Sequence, residues 1–165
     1  MKHLLILSGK GGTGKTTTAA AFIHFSQTRA MADCDVDAPN LHLVAAPPVS
    51  PEISEFLGGE KAVVDPDKCV GCGICASHCR FNALEKEEGR YRVNEYACEG
   101  CGVCAYVCPQ KAVYLAEDVA GRKELYLGER IFSTAVLKMG RGNSGKLVTD
   151  VKMAMLKHAP ETELA

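Results

Sequence analysis

Two cysteine runs with identical spacing constrain this chain more than any other feature of its sequence. Residues 69–79 read CVGCGICASHC and residues 98–108 read CEGCGVCAYVC, so the pattern C-x-x-C-x-x-C-x-x-x-C recurs with an offset of 29 residues. Eight of the nine cysteines in the 165 residues lie in these runs. Cysteines this dense form disulfide frameworks in secreted chains, and metal or redox sites in a reducing compartment.

The start of the chain and its charge balance narrow the function classes. The apolar run Leu4 to Leu7 is shorter than a signal-peptide core or a membrane span. Nineteen Lys and Arg against twenty Asp and Glu give a formal net charge of −1, which provides no basic field for nucleic acid or an anionic membrane. We therefore expect a cytoplasmic protein that binds neither, with its cysteines used for metal and the isolated Cys34 as a small buried residue.

The cysteine spacing is typical of iron–sulfur clusters. Three cysteines at successive steps of three suit three corners of a cubane cluster, whereas zinc sites usually use paired C-x-x-C or Cys/His sets. The second run ends in Cys108-Pro109, and the pattern resembles that of bacterial two-cluster ferredoxins, in which the fourth cysteine of each run serves the other cluster. This predicts two 4Fe-4S clusters, one held by Cys69, Cys72, Cys75 and Cys108, and the other by Cys98, Cys101, Cys104 and Cys79.

The first run departs from this pattern, since Arg80 rather than proline follows Cys79. We expect the positive charge of Arg80 to tune the potential of the nearby cluster. Three tyrosines could shield the clusters from water or simply pack in the core: Tyr91, Tyr96 and Tyr106. Each oxidised cluster with its thiolates adds about −2 to the charge. We therefore expect a basic redox partner and small, salt-sensitive contacts.

A second motif predicts nucleotide binding. Residues 9–16 match G-x-x-x-x-G-K-[ST], between an apolar run, Lys2 to Leu7, that predicts a buried strand and a helical pattern from Lys15. Glycines in such a loop let backbone N–H groups point at phosphate oxygens, with the positive end of the helix behind them. Lys15 would reach the β- and γ-phosphates of ATP, and the Thr16 hydroxyl would hold Mg²⁺. The predicted nucleotide contacts are Gly11, Gly12, Thr13, Gly14, Lys15, Thr16 and Thr17.

The loop K-G-G-T-G-K-T-T resembles the deviant Walker A loop of the MinD/Mrp/ParA-type ATPases and of the related nitrogenase iron protein. In that family the additional lysine, here Lys10, crosses a dimer interface to the partner's nucleotide. Residues 33–41 are similar to the family's D-x-D-x-x-x-x-N switch I segment. The resemblance implies a homodimer formed through the nucleotide face, with Lys10, Lys15 and Asp35 as catalytic residues, Asp35 activating water, and Asp33 near Mg²⁺. A solvated acidic turn is the alternative for these carboxylates.

Prolines and glycines divide the chain into three segments. Pro47, Pro48, Pro51 and Gly58-Gly59 mark a boundary near residue 60, and the cysteine-free pattern returns after Ala116. We expect residues 1–60 to be the N-terminal part of a P-loop ATPase domain, residues 61–117 an inserted α+β two-cluster ferredoxin domain, and residues 118–165 the return to the ATPase domain. The strand, loop and helix pattern predicts an α/β fold, and the resemblance to MinD-superfamily ATPases implies a SIMIBI-type P-loop NTPase with an incomplete parallel sheet.

Further elements are predicted around the insertion. Short strands are expected at Ala30–Asp33, Glu124–Leu127 and Thr134–Met139, and an amphipathic helix at Asn143–Leu156. Residues 140–146 repeat the G-x-x-x-x-G-K spacing, but Leu147 stands where a Mg²⁺-binding hydroxyl is needed. This second loop is therefore expected to start the helix, with Asn143 or Ser144 as the N-cap.

Three functions fit the two motifs. The first is ATP binding coupled to electron transfer through two 4Fe-4S clusters. The second is a carrier or assembly ATPase for iron–sulfur clusters, and the third is a ferredoxin-like carrier beside a nucleotide fold without hydrolysis. No acidic Walker B or switch II segment follows the helix that ends near His158. We therefore expect a truncated or split member of the family, in which hydrolysis is less secure than nucleotide or cluster binding.

Overall fold

The computed structural model describes residues 2–9 and 12–159. Its helices are α1 (Lys15–Ser26), α2 (His42–Ala45), α3 (Ile74–Ser77), α4 (Val103–Val107) and α5 (Ser144–His158). Its strands are β1 (Ala30–Ala32), β2 (Glu52–Val64), β3 (Leu84–Glu87), β4 (Arg90–Val93), β5 (Val113–Leu127) and β6 (Ile131–Leu137). The chain divides into two units. The first contains the residues up to Phe56 and from Ala120 onward, and the second is Leu57–Val119.

A four-stranded sheet has the strand order β1-β6-β5-β2. β1 runs parallel to β6, with Ala30 opposite Ile131, but β5 runs antiparallel to β6, with Leu127 opposite Ile131. The prediction of a parallel sheet is therefore wrong, because the described sheet is mixed. Only residues 128–130 separate β5 from β6. So short a loop joins antiparallel neighbours, whereas parallel neighbours need a crossover of a dozen or more residues.

The strand predicted at Lys2 to Leu7 is also not formed. Lys2 makes a single bridge, and residues 3–8 lie in no helix or strand of the described chain. Leu5 is 72% exposed and Leu7 is 78% exposed. A strand is held by ladder hydrogen bonds to a neighbour, so an apolar run without a paired strand does not by itself make one.

The other predicted elements of the first unit are confirmed within a few residues. α1 begins at Lys15 and β1 at Ala30, while the two later strand predictions fall within or overlap β5 and β6. α5 begins after Asn143, its N-cap, and buries Leu147, Val151 and Met155 at helical spacing. Leu147 is 0% exposed in a core that includes Phe56 and Val151. Its truncation to alanine should destabilise the fold by about 2–5 kcal/mol.

The second unit has a small core in which cysteines replace large apolar side chains. Its antiparallel ribbon pairs β3 with β4, and Leu84 lies opposite Val93. The buried members of the core are Ala62, Cys75, Ala83, Cys98, Cys104 and Val113. The larger apolar side chains packed against these residues, such as Phe81 and Leu115, are only partly buried. Hydrophobic burial alone therefore stabilises this unit modestly, and whatever the cysteines bind is part of what holds it together.

Candidate functional site

Each cysteine run folds into a loop that turns into a very short helix. Gly73 and Gly102 precede α3 and α4, with φ of 83° and 76°, a left-handed conformation that favours glycine. The turns place Cys75 in α3 and Cys104 in α4, and both side chains are buried. The other cysteines of each run lie in the loops on either side, so each run curves around a common space.

Two cavities in the second unit collect the cysteines in two sets. The first cavity is bordered by Tyr91 and by four cysteines, which are Cys69, Cys72, Cys75 and Cys108. The second is bordered by Phe81 and by the other four, which are Cys79, Cys98, Cys101 and Cys104. Each set combines three cysteines of one run with the last cysteine of the other. The structure thus brings together the same two sets that the spacing predicts, and their role as cluster ligands stays a prediction.

In each cysteine loop, one glycine lies so close to a neighbouring backbone carbonyl that a larger residue would not fit. A Cβ atom on Gly71, at φ 69°, would collide with the carbonyl oxygen of Gly89. A Cβ atom on Gly100, at φ 65°, would collide with the carbonyl oxygen of Glu60. The repeat relates the two contacts, since Gly100 follows Gly71 by 29 positions and Gly89 follows Glu60 by the same number. The sequence repeat is therefore also a structural repeat.

Backbone N–H groups point at cysteine sulfurs in both sets. The N–H of Ala83 donates to Cys79 Sγ at 3.4 Å, and the N–H of Ala112 donates to Cys108 Sγ at 3.3 Å. These two bonds are again related by the repeat. Hydrogen bonds to ligand sulfurs stabilise the negative charge of an iron–sulfur cluster. The donor set and its surroundings therefore fit a 4Fe-4S cluster in each cavity.

Two buried thiols favour the neutral form in the metal-free chain. Burial raises the pKa of the Cys75 and Cys104 thiols, and neighbouring cysteines raise it further. Iron binds the thiolate, so coordination has to displace these protons.

Among the described residues, no three His, Cys, Asp or Glu side chains converge closely enough to hold a single metal ion.

Comparison with known proteins identifies the class of the second unit. Residues 62–115 match a family described as a 4Fe-4S dicluster domain, and this range contains all eight cysteines of the two runs. A 4Fe-4S dicluster ferredoxin domain is therefore present in the chain.

Two relatives are similar to the chain at different lengths. A ferredoxin of Pyrobaculum islandicum is 36% identical over 67 residues, which cover 40% of this chain and 63% of the ferredoxin. An uncharacterized protein of Methanocaldococcus jannaschii is 31% identical over 169 residues, which cover 96% of this chain and 56% of that protein. The chain thus spans less than two thirds of the length of either curated relative.

The second candidate site lies in the first unit, at the start of α1. Lys15 Nζ donates to Asp35 Oδ2 at 2.5 Å, and Thr16 Oγ1 donates to Asn40 Oδ1 at 2.7 Å. The structure therefore brings Lys15 and Thr16 together with the acidic segment, and a catalytic or Mg²⁺-binding role of these residues stays a prediction. Gly12, Thr13, Gly14 and Thr17 are exposed, with φ of 76° at Gly12 and 83° at Gly14. Lys10 and Gly11 lie outside the described residues.

Asp33 organises the acidic segment. Its side chain is 7% exposed, and its Oδ2 atom accepts the N–H groups of Asn40 at 3.1 Å and Leu41 at 3.0 Å. Oδ1 accepts the N–H of Asp35 at 3.1 Å. Both oxygens are thus used to fold the segment that carries Asp35 and Asn40. Binding of Asp33 to Mg²⁺ remains a prediction.

An apolar cavity adjoins these polar groups. It is bordered by residues 4–8, Phe22 and Ile23, and by Lys15, Thr16 and residues 33–35. Cys34 is exposed, so the prediction that it is buried is wrong, because it lies in the loop after β1 rather than in the strand.

Two contacts of the structure are absent from the predictions made from the sequence. Asn40 is marked only as the last letter of the D-x-D-x-x-x-x-N pattern, and that position is the signal for a role near Thr16. Lys61 carries no sequence signal, yet its ammonium donates to the carbonyl oxygen of Cys98.

No helix in the described ranges has the length and apolar character needed to cross a membrane.

Proposed function

We propose that this protein is a ferredoxin-type electron carrier whose two-cluster unit works together with an ATP-binding unit. The observation that carries the first part is the pair of cavities, each bordered by four cysteines drawn from both runs. Cys69, Cys72, Cys75 and Cys108 would hold one 4Fe-4S cluster, and Cys79, Cys98, Cys101 and Cys104 the other. Such clusters, when bound, provide one-electron redox chemistry.

The arrangement at the start of α1 supports the nucleotide part of the proposal. Gly12 and Gly14 have the positive φ that a phosphate loop needs, and Lys15 and Thr16 lie at the N-terminus of a helix of 12 residues. Lys15 would contact the β- and γ-phosphates of ATP, and Thr16 would bind Mg²⁺. Asp35 now pairs with Lys15, so phosphate binding would release this carboxylate. A released carboxylate beside the phosphates could orient or activate water.

Four further parts of the proposal rest on the family resemblance and the cysteine chemistry. Lys10 would reach the nucleotide of a second copy of the chain in a homodimer. Hydrolysis would use Lys10, Lys15 and Asp35 together. A cytoplasmic location suits cysteines kept reduced for iron, and a basic redox protein suits the negative charge that two clusters add.

Coupling between the units is tested by the rate of cluster reduction. The anaerobically purified chain is mixed with dithionite in a stopped-flow instrument, with no nucleotide, with MgADP or with MgATP, and bleaching of the cluster absorbance is followed. We expect MgATP to change the rate of cluster reduction or the reduction potential of the clusters. Such a change requires MgATP to bind the oxidised and reduced forms of the chain with different affinities, because a ligand shifts an equilibrium only through such a difference. Equal rates and potentials in all three conditions would contradict coupling, while leaving the electron carrier intact.

Delivery of clusters to other proteins is a second candidate function. Cys72 and Cys101 are exposed, so one ligand of each set is open to exchange with an incoming thiolate. Transfer of iron and sulfide to an apo-ferredoxin that depends on MgATP would favour this function. Retention of both clusters in the presence of the acceptor would favour the electron carrier, which the complete set of eight ligands supports.

A further inference from the structure

The two cavities of the second unit are related by the sequence repeat, and the relation breaks down around Cys98. Cys98 Sγ accepts two backbone N–H bonds, from Ala62 at 3.5 Å and from Gly100 at 3.4 Å. Cys69 is the repeat-related ligand of the first cavity. Among the described residues no hydrogen bond is made to Cys69 Sγ. The second cavity is therefore richer in donors aimed at a ligand sulfur.

The same ligand is contacted by a cation. The Lys61 ammonium donates to the carbonyl oxygen of Cys98, and the Lys61 side chain is half-buried. The repeat places Arg90 in the equivalent position for the first cavity, since it follows Lys61 by 29 residues. Arg90 is exposed at the start of β4. Water and salt screen an exposed guanidinium more strongly than a half-buried ammonium.

Other charges near the second cavity oppose one another. Glu99 borders this cavity and is exposed, and it takes the place that Val70 has in the first cavity. Arg80 is exposed with its guanidinium carbon 5.5 Å from the centre of the Phe81 ring, which borders the same cavity. These two exposed charges have opposite signs and are both screened. Near the first cavity, Lys68 precedes Cys69, and its charge is offset by an ion pair with Asp65 at 2.8 Å. Lys61 and the N–H groups at Cys98 are then left to distinguish the cavities.

Donors and cations act on the redox equilibrium in one direction. A reduced 4Fe-4S cluster carries one more negative charge than the oxidised cluster, so nearby positive charge stabilises the reduced form more. Hydrogen bonds to the sulfurs have the same effect. Cys98 is more deeply buried than Cys69, and burial by itself disfavours the additional negative charge of a reduced cluster. The groups that bury Cys98 include the Lys61 ammonium and the two N–H groups, however, and these groups stabilise that charge.

We propose that Lys61 is a tuning residue that gives the cluster site of Cys79, Cys98, Cys101 and Cys104 the higher of two reduction potentials. This inference rests on the proposed assignment of the two ligand sets. A one-electron donor would be oxidised and would first reduce the cluster held by Cys79, Cys98, Cys101 and Cys104. The cluster at Cys69 would be reduced only afterwards.

The test is a redox titration followed by electron paramagnetic resonance, on the full chain with its clusters and with dithionite as reductant. We expect two midpoints in the wild type. Lys61→Gln should lower the higher midpoint and leave the lower one in place, whereas Lys61→Arg should keep both. Arg90→Gln is the matched control, because it removes one charge at the repeat-related position, and it should leave both midpoints unchanged.

Unchanged midpoints in Lys61→Gln, or an equal shift in Arg90→Gln, would overturn the tuning role. Iron and acid-labile sulfide are measured first, and a wild type with far fewer than about eight irons per chain would contradict the cluster assignment itself. If the Gln variant loses iron, Lys61→Met provides the same readout, because it removes the charge and keeps a long side chain.

Discussion

The ammonium of Lys15 lies 2.5 Å from Asp35 Oδ2 and ties the first turn of α1 to the segment that follows β1. The two side chains are 33% and 35% exposed, so the ion pair contributes at most about 1 kcal/mol to stability. The ion pair would have a larger effect on the binding of a phosphate to Lys15. A phosphate that bound Lys15 would have to compete with a carboxylate already in place, so the pair would connect the proposed nucleotide binding to the position of Asp35.

Removal of that competition should tighten nucleotide binding. We expect Asp35→Asn to lower the Kd for MgATP by up to about fivefold, since an exposed ion pair is worth up to ~1 kcal/mol. Equilibrium binding of a fluorescent ATP analogue to the cluster-loaded chain measures this. Asp37→Asn is the control, because Asp37 is an exposed carboxylate of the same segment, and it should leave the Kd unchanged. An unchanged or weaker affinity in Asp35→Asn would contradict the competition.

The two loops with G-x-x-x-x-G-K spacing should behave differently. Lys15→Ala should abolish measurable MgATP binding and leave the iron content intact, because Lys15 belongs to the first unit and the cysteines to the second. Lys146→Ala should bind MgATP as the wild type does, since its loop leads into α5 from Asn143 at the N-cap position, and Leu147 stands where a hydroxyl for Mg²⁺ is needed. Isothermal titration calorimetry compares the variants. Loss of binding in Lys146→Ala but not in Lys15→Ala would show that the nucleotide binds at the second loop instead.

Asp33 should matter for stability as well as for nucleotide binding. Asp33→Ala removes the acceptor of three backbone N–H bonds at a residue that is 7% exposed. We expect a loss of about 2–3 kcal/mol in the free energy of unfolding, and a smaller loss in Asp33→Asn. Chemical denaturation followed by circular dichroism measures both. A loss no greater than that in Asp37→Ala would show that these bonds do not hold the segment.

Gly71 and Gly100 should each be needed for the binding of one of the two clusters. Gly71→Ala places a Cβ atom against the Gly89 carbonyl, and Gly100→Ala places one against the Glu60 carbonyl, in both cases at a positive φ. Each change should lower the iron content from about eight to about four per chain. Gly142→Ala is the control, because a Cβ atom at Gly142 would have open space within 4 Å. Full iron content in both loop variants would contradict the proposed fit.

The cysteine sets could be predicted from sequence because their geometry is mostly local. Steps of three residues and flanking glycines fix how a loop curves, and the last cysteine of each run completes the other set through the repeat. The Gly-rich turn was predictable for the same reason, because it leads directly into α1 at Lys15.

Features that depend on distant partners were not predictable. The apolar run Lys2 to Leu7 has the composition of a buried strand, but a strand needs a neighbour, and that information is not in the run itself. The antiparallel pairing of β5 follows from the short loop to β6, which is a property of the pair rather than of either strand. Lys61 reaches Cys98 across 37 positions, so no local pattern could indicate its contact.

A coulometric reductive titration of the anaerobically purified chain tests the assignment of two 4Fe-4S clusters most directly. We expect about eight irons per chain to accept about two electrons in total, one for each set of four cysteines. A chain that holds zinc without acid-labile sulfide, and takes up no electrons, would contradict the assignment.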